Sequence, residues 1–461
     1  MATRKPTGHG KWWVLFSVGI STFMSALDGS VVNTILPVVS RTYQSPIAQV
    51  EWAVTIYLLV ISALLLGFGR LGDLLGHKPI YLTGCTCFVI GSALCGASPS
   101  LHWLVLFRAL QAIGAAMLFA NSPAILTLSF PEHERGRALG LQATMTYLGL
   151  SVGPALGGWL TDQFSWRAVF YINVPVGALA LLFGFHFIPR PRPVAQMPRF
   201  DWLGAIAFAV GLCALLLSFN RGPTLGWSSP LTLGLFAVAF VVLGLFLAIE
   251  HACKDPMLKL TLFHDRQFAA ASASAVFNYI AVSGTLFLLP FYLIQGRSFS
   301  PEHAGLILTT QSLTMALVAP LSGALSDRIG TRLPAVVGML LLASGLFLLS
   351  RLGATTPQAN ILVGLAVVGL GTGIFISPNN SSLMGAAPKA DQGLAGGVLA
   401  TARNVGMVLG VGLAGAVFST VLGTPQAASS SVALSRAVDA GLSVLAAVAL
   451  LGCLTSAIRR S

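Results

Sequence analysis

Charged residues are scarce in this sequence. Only 9% of its 461 residues are charged, against 55% that are hydrophobic. Soluble domains carry about a quarter charged residues, so this composition excludes an ordinary soluble protein and indicates a polytopic membrane protein. Acids number 14 against 26 Lys and Arg. The bases lie in short loops between apolar runs, which is typical of membrane topology signals and not of nucleic-acid binding.

Cysteine and other metal ligands are also few. The six cysteines fall mostly inside apolar runs and show no metal-ligand spacing with histidines, which excludes a disulfide framework and a zinc site. No nucleophile–base pair, metal cluster or phosphate-binding loop occurs at a spacing that such chemistry needs. The sequence therefore predicts a protein that is not an enzyme and that uses no cofactor.

Long apolar runs, in contrast, are abundant. A membrane-spanning helix needs about 20 apolar residues, and this length predicts fourteen spans in an all-α polytopic membrane protein. The first span follows a short basic N-terminus and is too long for a cleaved signal peptide, so we expect it to be retained. The spans, numbered 1 to 14, cover about residues 12–36, 52–71, 79–96, 101–126, 138–160, 169–187, 202–219, 231–249, 268–294, 304–325, 334–350, 361–384, 394–421 and 440–458.

The distribution of Lys and Arg predicts the topology. With the N-terminus inside, only six of the 26 fall on the outer side, while Arg108 and Arg403 lie within spans. Because basic loops stay in the cytoplasm, both termini are expected there. Twenty Arg against six Lys is typical of a GC-rich bacterium. We therefore expect a multi-pass protein of a bacterial inner or plasma membrane.

One ten-residue pattern occurs twice. Residues 69–78 and 323–332 both read G-x-L-x-D-x-x-G-x-[KR], 254 positions apart, and Pro131 and Gly136 recur as Pro388 and Gly393. Spans 9–14 are therefore predicted to repeat spans 1–6, with spans 7 and 8 as an insertion. The predicted division is an N-terminal six-helix bundle over residues 1–188, the inserted spans with cytoplasmic linkers over 189–266, and a C-terminal six-helix bundle over 267–461.

Asp28 is the one acid that we place well inside a span. It lies about 12 Å below the outer end of span 1, and Arg108 lies about 10 Å below the same face in span 4. An ionisable residue inside the membrane is a functional hypothesis by default, and an Arg there pairs with an acid. We hypothesise that Arg108 holds Asp28 ionised until an external proton arrives and frees span 1. Two alternatives stay open, a permanent structural ion pair and an Asp in water at the helix end.

Five segments carry a family resemblance that covers essentially the whole chain. They are residues 27–37 in span 1, 69–78 after span 2, 108–114 in span 4, 149–158 in span 5 and 166–177 entering span 6. With these motifs in this order, the sequence resembles the fourteen-helix drug:proton antiporters of the major facilitator superfamily, the second drug:H+ antiporter subfamily. The resemblance implies the major facilitator fold, with two six-helix bundles related by an axis along the membrane normal.

The segment after span 2 is similar to the family's cytoplasmic gate, which is thought to clamp the two halves together in the outward-facing state. Its glycines allow a tight turn, and Asp73 can accept backbone N–H groups at a helix start. His77 and Leu74 stand where bases are typical, so a looser clamp is expected. A structural turn with solvated charges is the alternative. The predicted gate residues are Gly69, Asp73, Gly76, Lys78, Arg137, Asp327 and Arg328.

Span 5 contains small residues at a spacing of four, together with a proline. Small residues let another helix approach closely, and a proline removes one backbone hydrogen bond and bends the helix. The segment resembles one that accompanies export by antiport in the superfamily. Generic packing of a glycine-rich helix is the alternative. The predicted antiporter-type residues are Gly149, Gly153, Pro154, Gly157 and Gly158.

Polar residues scattered through the apolar spans predict a substrate cavity, because a large apolar cavity with a few polar groups suits varied amphipathic ligands. For each residue an ordinary helix contact is the alternative. Since we place no acid inside a span of the second half, one proton per cycle is expected. Asn173, entering span 6, is expected to be structural. The predicted cavity residues are Asn33, Gln111, Asn121, Asn278, Tyr279, Gln311, Asn379, Asn380 and Arg403.

The sequence thus predicts a multidrug efflux antiporter, driven by the proton motive force, that exports amphipathic, neutral or monocationic small molecules by alternating access. The alternatives are an exporter of a lipid or of a specific natural product or metabolite, and an uptake symporter. The expected partners are small-molecule substrates, protons and membrane lipids, without nucleic acid. We expect a functional monomer, and a periplasmic adaptor is left open.

Overall fold

Fourteen long α-helices make up most of the chain, and no strand occurs among the residues that the structure describes. The structure is a computed structural model that describes residues 10–45, 47–189, 200–253, 256–299, 301–353, 356–422 and 431–459. The long helices, labelled α1 to α14, are Gly10–Tyr43, Trp52–Leu75, His77–Gly96, Leu101–Ser129, Arg135–Gln163, Asn173–Phe187, Trp202–Leu225, Pro230–Ala252, Arg266–Pro290, Pro301–Ile329, Arg332–Leu349, Gln358–Ala386, Gln392–Leu422 and Ser431–Ala457.

These fourteen helices correspond one for one to the predicted spans. In the described part of the chain, 13 helices are long and apolar enough to cross a membrane. The remaining helix is α5, whose 29 residues are long enough but include six glycines, three threonines and two glutamines. The expected all-helical, polytopic architecture is therefore confirmed. Short helical segments connect the long ones at Ile47–Val50, Glu132–Glu134, Ala168–Tyr171, Leu260–His264, Phe291–Gly296 and Lys389–Asp391.

The last helix begins earlier than expected. Span 14 was predicted to start at residue 440, whereas α14 starts at Ser431 and its membrane-crossing stretch at Val432. Asp439 is therefore half-buried and about two turns inside the helix. The expectation that no span of the second half carries an acid is wrong. Arg436 and Asp439 interrupt the apolar run in the sequence, but a membrane helix tolerates charges in its outer turns.

One compact unit, unit 1, comprises Met1–Cys213, Val242–Leu260 and Ala387–Thr401. Within it α1 packs against α5 and α6, and α4 packs against α2 and α3. Beyond Asp28 along α1, the buried side chains of Val31, Val32 and Ile35 form a hydrophobic cluster with Leu104 of α4. The region around Asp28 is therefore packed and low in dielectric constant.

A second compact unit, unit 2, comprises Ala214–Val241, Thr261–Ala386 and Ala402–Ser461. Within it α12 packs against α10 and α11, and α14 packs against α9 and α11. A π-helical turn, Phe291–Gly296, follows the proline that ends α9. Helices α7, α8 and α13 each contribute residues to both units. The three-part division made from the sequence stays a prediction.

The sequence repeat recurs as matched helix crossings. In unit 1, α3 crosses α4 where a Cβ on Gly84 would lie 3.0 Å from the Gly114 carbonyl oxygen. In unit 2, α11 crosses α12 where a Cβ on Gly338 would lie 2.7 Å from the Gly371 carbonyl oxygen. The two glycine pairs are offset by 254 and 257 positions, as the repeated motifs are. The two units are thus built on one repeated scaffold.

Candidate functional site

A fully buried ion pair lies in the interior of unit 1. Arg108 Nη1 on α4 donates to Asp28 Oδ2 on α1 over 2.5 Å, and the two side chains are 1% and 0% exposed. Gln111, one turn further along α4, donates to Asp28 Oδ1 over 2.9 Å. Asn173, at the start of α6, donates to the same oxygen over 3.0 Å. The expected pairing is present, and three side chains hold the carboxylate.

Arg108 has partners besides Asp28. Its Nη1 also donates to Gln111 Oε1 over 2.8 Å, and its Nε donates to the Ala53 carbonyl on α2 over 3.0 Å. The guanidinium carbon lies 4.0 Å from the ring centroid of Tyr57. Carbonyl oxygens and an aromatic face both stabilise a cation in a low dielectric. The arginine is therefore held in place by more than its acid.

Asn173 is the member of this site that the sequence analysis missed. We expected a structural role, yet its Nδ2 bridges Asp28 and Ser92 Oγ, the latter over 3.0 Å. Ser92 in turn donates to the Phe170 carbonyl over 2.8 Å. The signal in the sequence was an amide at the apolar start of span 6, where a buried polar side chain needs a polar partner.

Glycines at a spacing of four on α5 bring this helix against α1. A Cβ on Gly149 would lie 2.6 Å from the Phe23 carbonyl oxygen, and one on Gly153 would lie 1.8 Å from Ser30 Oγ. These contacts lie on either side of Asp28 along α1. The backbone of α5 therefore fixes the segment of α1 that carries the acid.

The remaining residues of the predicted antiporter-type segment differ in whether they contact α1. Gly157 continues the contact, since its Cβ would lie 2.5 Å from Val31 Cγ2. Gly158 lies outside this spacing and has open space where its Cβ would sit, and its part in an antiporter-type segment stays a prediction. The side chain of Pro154 lies outside the described atoms, and α5 runs through it from Arg135 to Gln163.

Asp73 caps the start of α13 within unit 1. Its Oδ1 and Oδ2 accept the backbone N–H groups of Gly393 over 2.6 Å and Leu394 over 2.8 Å. A carboxylate is stabilised by the positive end of a helix dipole. Gly69 lets the helices meet, since a Cβ there would lie 2.3 Å from the Gly393 carbonyl oxygen. The contact expected of Asp73 is present, while its part in a gate stays a prediction.

A second set of charges braces the same helix start. Asp391, directly before α13, forms ion pairs with Lys259 at 2.7 Å and with Arg70 at 3.6 Å. The sequence analysis did not single out these three residues. Arg70 lies inside the repeated motif, and Asp391 lies two residues before the repeated Gly393, so the repeat itself was the available signal.

Gly76 and His77 shape the turn between α2 and α3. Gly76 has φ +93°, a conformation that favours glycine. His77 Nδ1 lies 2.8 Å from Asn121 Oδ1, and its Nε2 lies 3.6 Å from Asp73 Oδ1. The histidine that replaces a usual base is therefore built into the turn beside the acid.

Two predicted gate bases contact other elements of unit 1. Lys78 Nζ donates to the carbonyls of Phe185 over 2.6 Å and Ile188 over 2.7 Å, at the C-terminal end of α6. The guanidinium of Arg137 lies 5.0 Å from the ring centroid of Trp12. Lys78 thus binds carbonyls of α6, where the helix dipole favours a cation.

The second copy of the motif lies in unit 2. Asp327 and Arg328 lie in the last turn of α10, half-buried and exposed respectively. Gly330 has φ +84° and corresponds to Gly76 of the first copy. The turn geometry is therefore repeated, and a gate role for Asp327 and Arg328 stays a prediction.

The predicted cavity residues differ in burial. Tyr279, Asn380 and Arg403 are half-buried, whereas the side chain of Asn33 lies outside the described atoms. The fully buried members are Gln111, Asn121, Asn278, Gln311 and Asn379. A side chain without exposed surface does not line an open cavity in this conformation.

Two of these residues form hydrogen bonds within the protein in this conformation, and their assignment to a cavity stays a prediction. The side-chain amides of Gln111 and Asn121 both donate and accept hydrogen bonds within the protein. Gln111 belongs to the Asp28 site, as described above. Asn121 donates to the carbonyls of Phe68 over 3.1 Å and Met117 over 3.0 Å, and its oxygen meets His77. Sequence alone could not separate a polar residue that faces a cavity from one that joins two helices.

Known proteins with similar sequences include transporters and drug-resistance proteins. A family model described as Major Facilitator Superfamily matches residues 18–257 and 271–459. The chain is 36% identical over 414 residues to the riboflavin transporter RibZ of Clostridioides difficile, covering 89% of each protein. It is 34% identical over 409 residues to the multidrug resistance protein Stp of Mycobacterium tuberculosis, covering 88% of this chain and 76% of that protein.

Structural comparison agrees with the family model. The human organic anion transporter MFSD10 (TETRAN) matches 97% of this chain and 99% of its own with a TM-score of 0.69, at 17% sequence identity. That likeness supports the fold. With the family model covering both halves of the repeat, the comparisons lead to one conclusion: the chain belongs to the Major Facilitator Superfamily.

Proposed function

We propose that this protein exports amphipathic small molecules from a bacterial cell in exchange for protons. The observation that carries the proposal is the buried carboxylate of Asp28 and its three donors, Arg108, Gln111 and Asn173. A carboxylate removed from water is stable only with its partners, so its protonation changes the energy of the contacts among α1, α4 and α6. If the stability of a contact between helices depends on one proton, binding and release of that proton can drive the helices to move.

Protonation of Asp28 weakens the hydrogen bonds that its carboxylate accepts and leaves the other bonds of Arg108 in place. A neutral carboxyl accepts weaker hydrogen bonds than a carboxylate does. Arg108 then still holds Gln111 Oε1 and the Ala53 carbonyl. The contacts that weaken are therefore those that hold α1, which carries Asp28, against α4 and α6. In our proposal α1 moves against α4 in this state, and the release of the proton restores the pair.

The contacts of Asp73 support a gate in the same cycle. Helix α13 begins in unit 1 and continues in unit 2 from Ala402. Its first N–H groups are held by Asp73, with the ion pairs of Asp391 beside them. Hydrogen bonds to a charged group contribute about 1.5–3 kcal/mol each. We assign to this cap the role of keeping the cytoplasmic path closed. The path opens when the free energy of substrate binding offsets the loss of these hydrogen bonds.

The names of the relatives support organic compounds as substrates. They include the multidrug resistance protein Stp and the tetracenomycin C resistance and export protein of Streptomyces glaucescens, which is 30% identical over 412 residues, covering 89% of this chain and 77% of that protein. Because the site holds a single ion pair, we propose one exchanged proton and a neutral or monocationic substrate. The protein acts as a monomer in this scheme.

The test uses purified protein in lipid vesicles under an imposed pH gradient. We expect the wild type to move a cationic dye against its gradient, and Asp28→Asn to bind the dye but lose proton-driven movement. The matched control is Asp162→Asn, which alters an exposed acid at the end of α5 and should retain transport. Wild-type rates in Asp28→Asn would refute the proton-carrying role.

A second candidate is the transport of riboflavin or a similar planar metabolite. It is favoured by the identity of 36% to a riboflavin transporter over 89% of both chains. The same vesicles distinguish the two candidates. Saturable, proton-driven movement of riboflavin without movement of dyes would replace the multidrug proposal.

A further inference from the structure

Two carboxylates meet where the inserted helices α7 and α8 lie side by side in unit 1. Asp201 directly precedes α7, and its Oδ1 accepts the backbone N–H of Gly204 over 2.9 Å. Glu250, in the last turn of α8, is 3% exposed, and its Oε2 accepts the backbone N–H of Leu258 over 2.9 Å. One oxygen of each carboxylate is thus fixed by a backbone donor.

The two remaining oxygens face the same point. A Cβ on Gly204 would lie 2.4 Å from Asp201 Oδ2 and 2.7 Å from Glu250 Oε1. Both oxygens are buried, and neither forms a hydrogen bond of normal geometry among the residues that the structure describes, while the backbone N–H of Met257 also acts on the Glu250 carboxylate. Like charges that approach the same point disfavour each other, and burial of Glu250 adds to this cost.

The charged surroundings do not supply the missing donor. In the described part of the chain, Asp201 and Arg70 are the charged groups that act on Glu250. Arg70 itself pairs with Asp391 at 3.6 Å, as Lys259 does at 2.7 Å. Calcium takes about six to eight oxygen ligands, whereas the described residues hold no group of three potential metal ligands. A proton fits this pair better than a metal ion.

We propose that Asp201 and Glu250 bind one proton between them, forming a second proton site outside the Asp28 network. The proton comes from water, and the hydroxyl of one carboxyl group donates to the oxygen of the other. Both unpartnered oxygens are then satisfied by a single hydrogen bond. The proton site itself does not depend on the exchange reaction proposed above, whereas its effect on the gate rests on the role proposed for the Asp73 cap.

The site also positions the gate. The hydrogen bond from Leu258 to Glu250 fixes the turn that precedes Lys259, and Lys259 pairs with Asp391 directly before α13. With the shared proton present, Glu250 stays beside Asp201 and holds this turn. Without it, the two charges repel, the turn loosens, and Lys259 withdraws from the start of α13. Asp201 and Glu250 are therefore positioning residues whose proton stabilises the closed cap.

The first test is an infrared titration of the full-length protein in lipid nanodiscs. At neutral pH we expect the carbonyl stretching band of a protonated carboxyl group, lost in Asp201→Asn and equally in Glu250→Gln, because either amide removes the shared proton. Gly204→Ala should also abolish the band with both acids present, because its Cβ displaces the two oxygens. Asp162→Asn should keep it. A band that survives in either amide variant overturns the proposal.

The second test follows hydrogen exchange at the backbone of residues 391–394. In the wild type, raising the pH through the infrared transition should speed exchange there beyond the intrinsic pH effect by several-fold. Glu250→Gln, a neutral side chain of the same shape, should remove this extra acceleration. Equal behaviour of wild type and Glu250→Gln, or protection by added sodium or calcium in place of protons, would overturn the proposal.

Discussion

Units 1 and 2 use the same helix contact at corresponding places. In unit 1, α5 meets α1 where a Cβ on Gly153 would lie 1.8 Å from Ser30 Oγ. In unit 2, α13 meets α9 where a Cβ on Gly410 would lie 2.2 Å from Ser283 Oγ. The match of these glycine–serine contacts sets the register between α1 and α9, so individual positions of the two units can be compared.

The comparison shows that the scaffold does not need its charges. In this register Ala281 stands in α9 where Asp28 stands in α1, and the match of Gly114 with Gly371 puts Leu365 where Arg108 stands. Ala281 and Leu365 are both fully buried. Replacing a buried ion pair with apolar residues is often neutral or stabilising. Unit 1 therefore keeps a pair that the fold does without in unit 2.

The largest effect on stability and transport is expected from replacing the Asp28–Arg108 ion pair. Arg108→Leu alone leaves Asp28 buried without its cation and should destabilise the protein by about 3–5 kcal/mol. The double variant Asp28→Ala/Arg108→Leu copies unit 2, so most of that stability should return while proton-driven transport stays absent. Thermal unfolding and vesicle transport measure the two properties. A double variant as unstable as the single one would make the pair structural.

A second comparison concerns the glycines that approach backbone oxygens. A Cβ on Gly149 would lie 2.6 Å from the Phe23 carbonyl oxygen, and one on Gly406 would lie 2.7 Å from that of Val276. Either alanine should cost about 1–3 kcal/mol of stability through overpacking. Because only Gly149 adjoins the segment with Asp28, Gly149→Ala should lower transport further, by about tenfold.

The control for this comparison is Gly158→Ala, which places a methyl group in open space. It should leave unfolding temperature and transport near their wild-type values. Equal loss of transport in Gly149→Ala and Gly406→Ala would show that both helix contacts take part in proton coupling.

A third comparison uses the two motif copies. Asp73→Asn weakens two hydrogen bonds to the start of α13, each worth about 1.5–3 kcal/mol while the acceptor is charged. Asp327→Asn alters a half-buried residue of unit 2. We expect Asp73→Asn to reduce transport and to speed backbone hydrogen exchange at Gly393 and Leu394. If Asp327→Asn reduces transport as much, the two copies carry equal parts of the gate.

The smallest effect is expected from Asp439→Asn. This acid is half-buried, and Arg351 is the charged group that acts on it in the described part of the chain. A partly exposed interaction between two charges contributes about 1 kcal/mol or less, so stability should change little and the ratio of protons to substrate should stay constant. A lower ratio, measured from proton and dye fluxes in the same vesicles, would put proton handling in both units.

The sequence predicted the features that depend on the length of apolar runs and on the depth of a residue in the membrane. Long apolar runs set the fourteen helices, and counting residues along spans 1 and 4 brought Asp28 and Arg108 to one level. With few acids in the chain, a buried arginine had one candidate partner. The acceptor role of Asp73 followed in the same way, since helix starts attract carboxylates.

Features that depend on packing between distant segments were missed. Asn173 joins Asp28 across 145 positions. Lys259, between α8 and α9, joins Asp391, between α12 and α13. Nothing in a single sequence says which face of a helix a lone amide or base occupies. Asn121 was assigned to a cavity from its polarity alone, whereas its hydrogen-bond partners on α2 and α3 are set by the crossing of helices.

The several partners of Arg108 have an electrostatic consequence. Its charge is fixed by Gln111, the Ala53 carbonyl and the ring of Tyr57, so the site is neutral with Asp28 ionised and carries a full positive charge once Asp28 takes a proton. At an effective dielectric constant of about 20, a monocation about 10 Å away is then repelled by about 1.7 kcal/mol. That is more than tenfold in affinity. In our proposal, a proton on Asp28 and a cationic substrate therefore weaken each other's binding without sharing a binding surface.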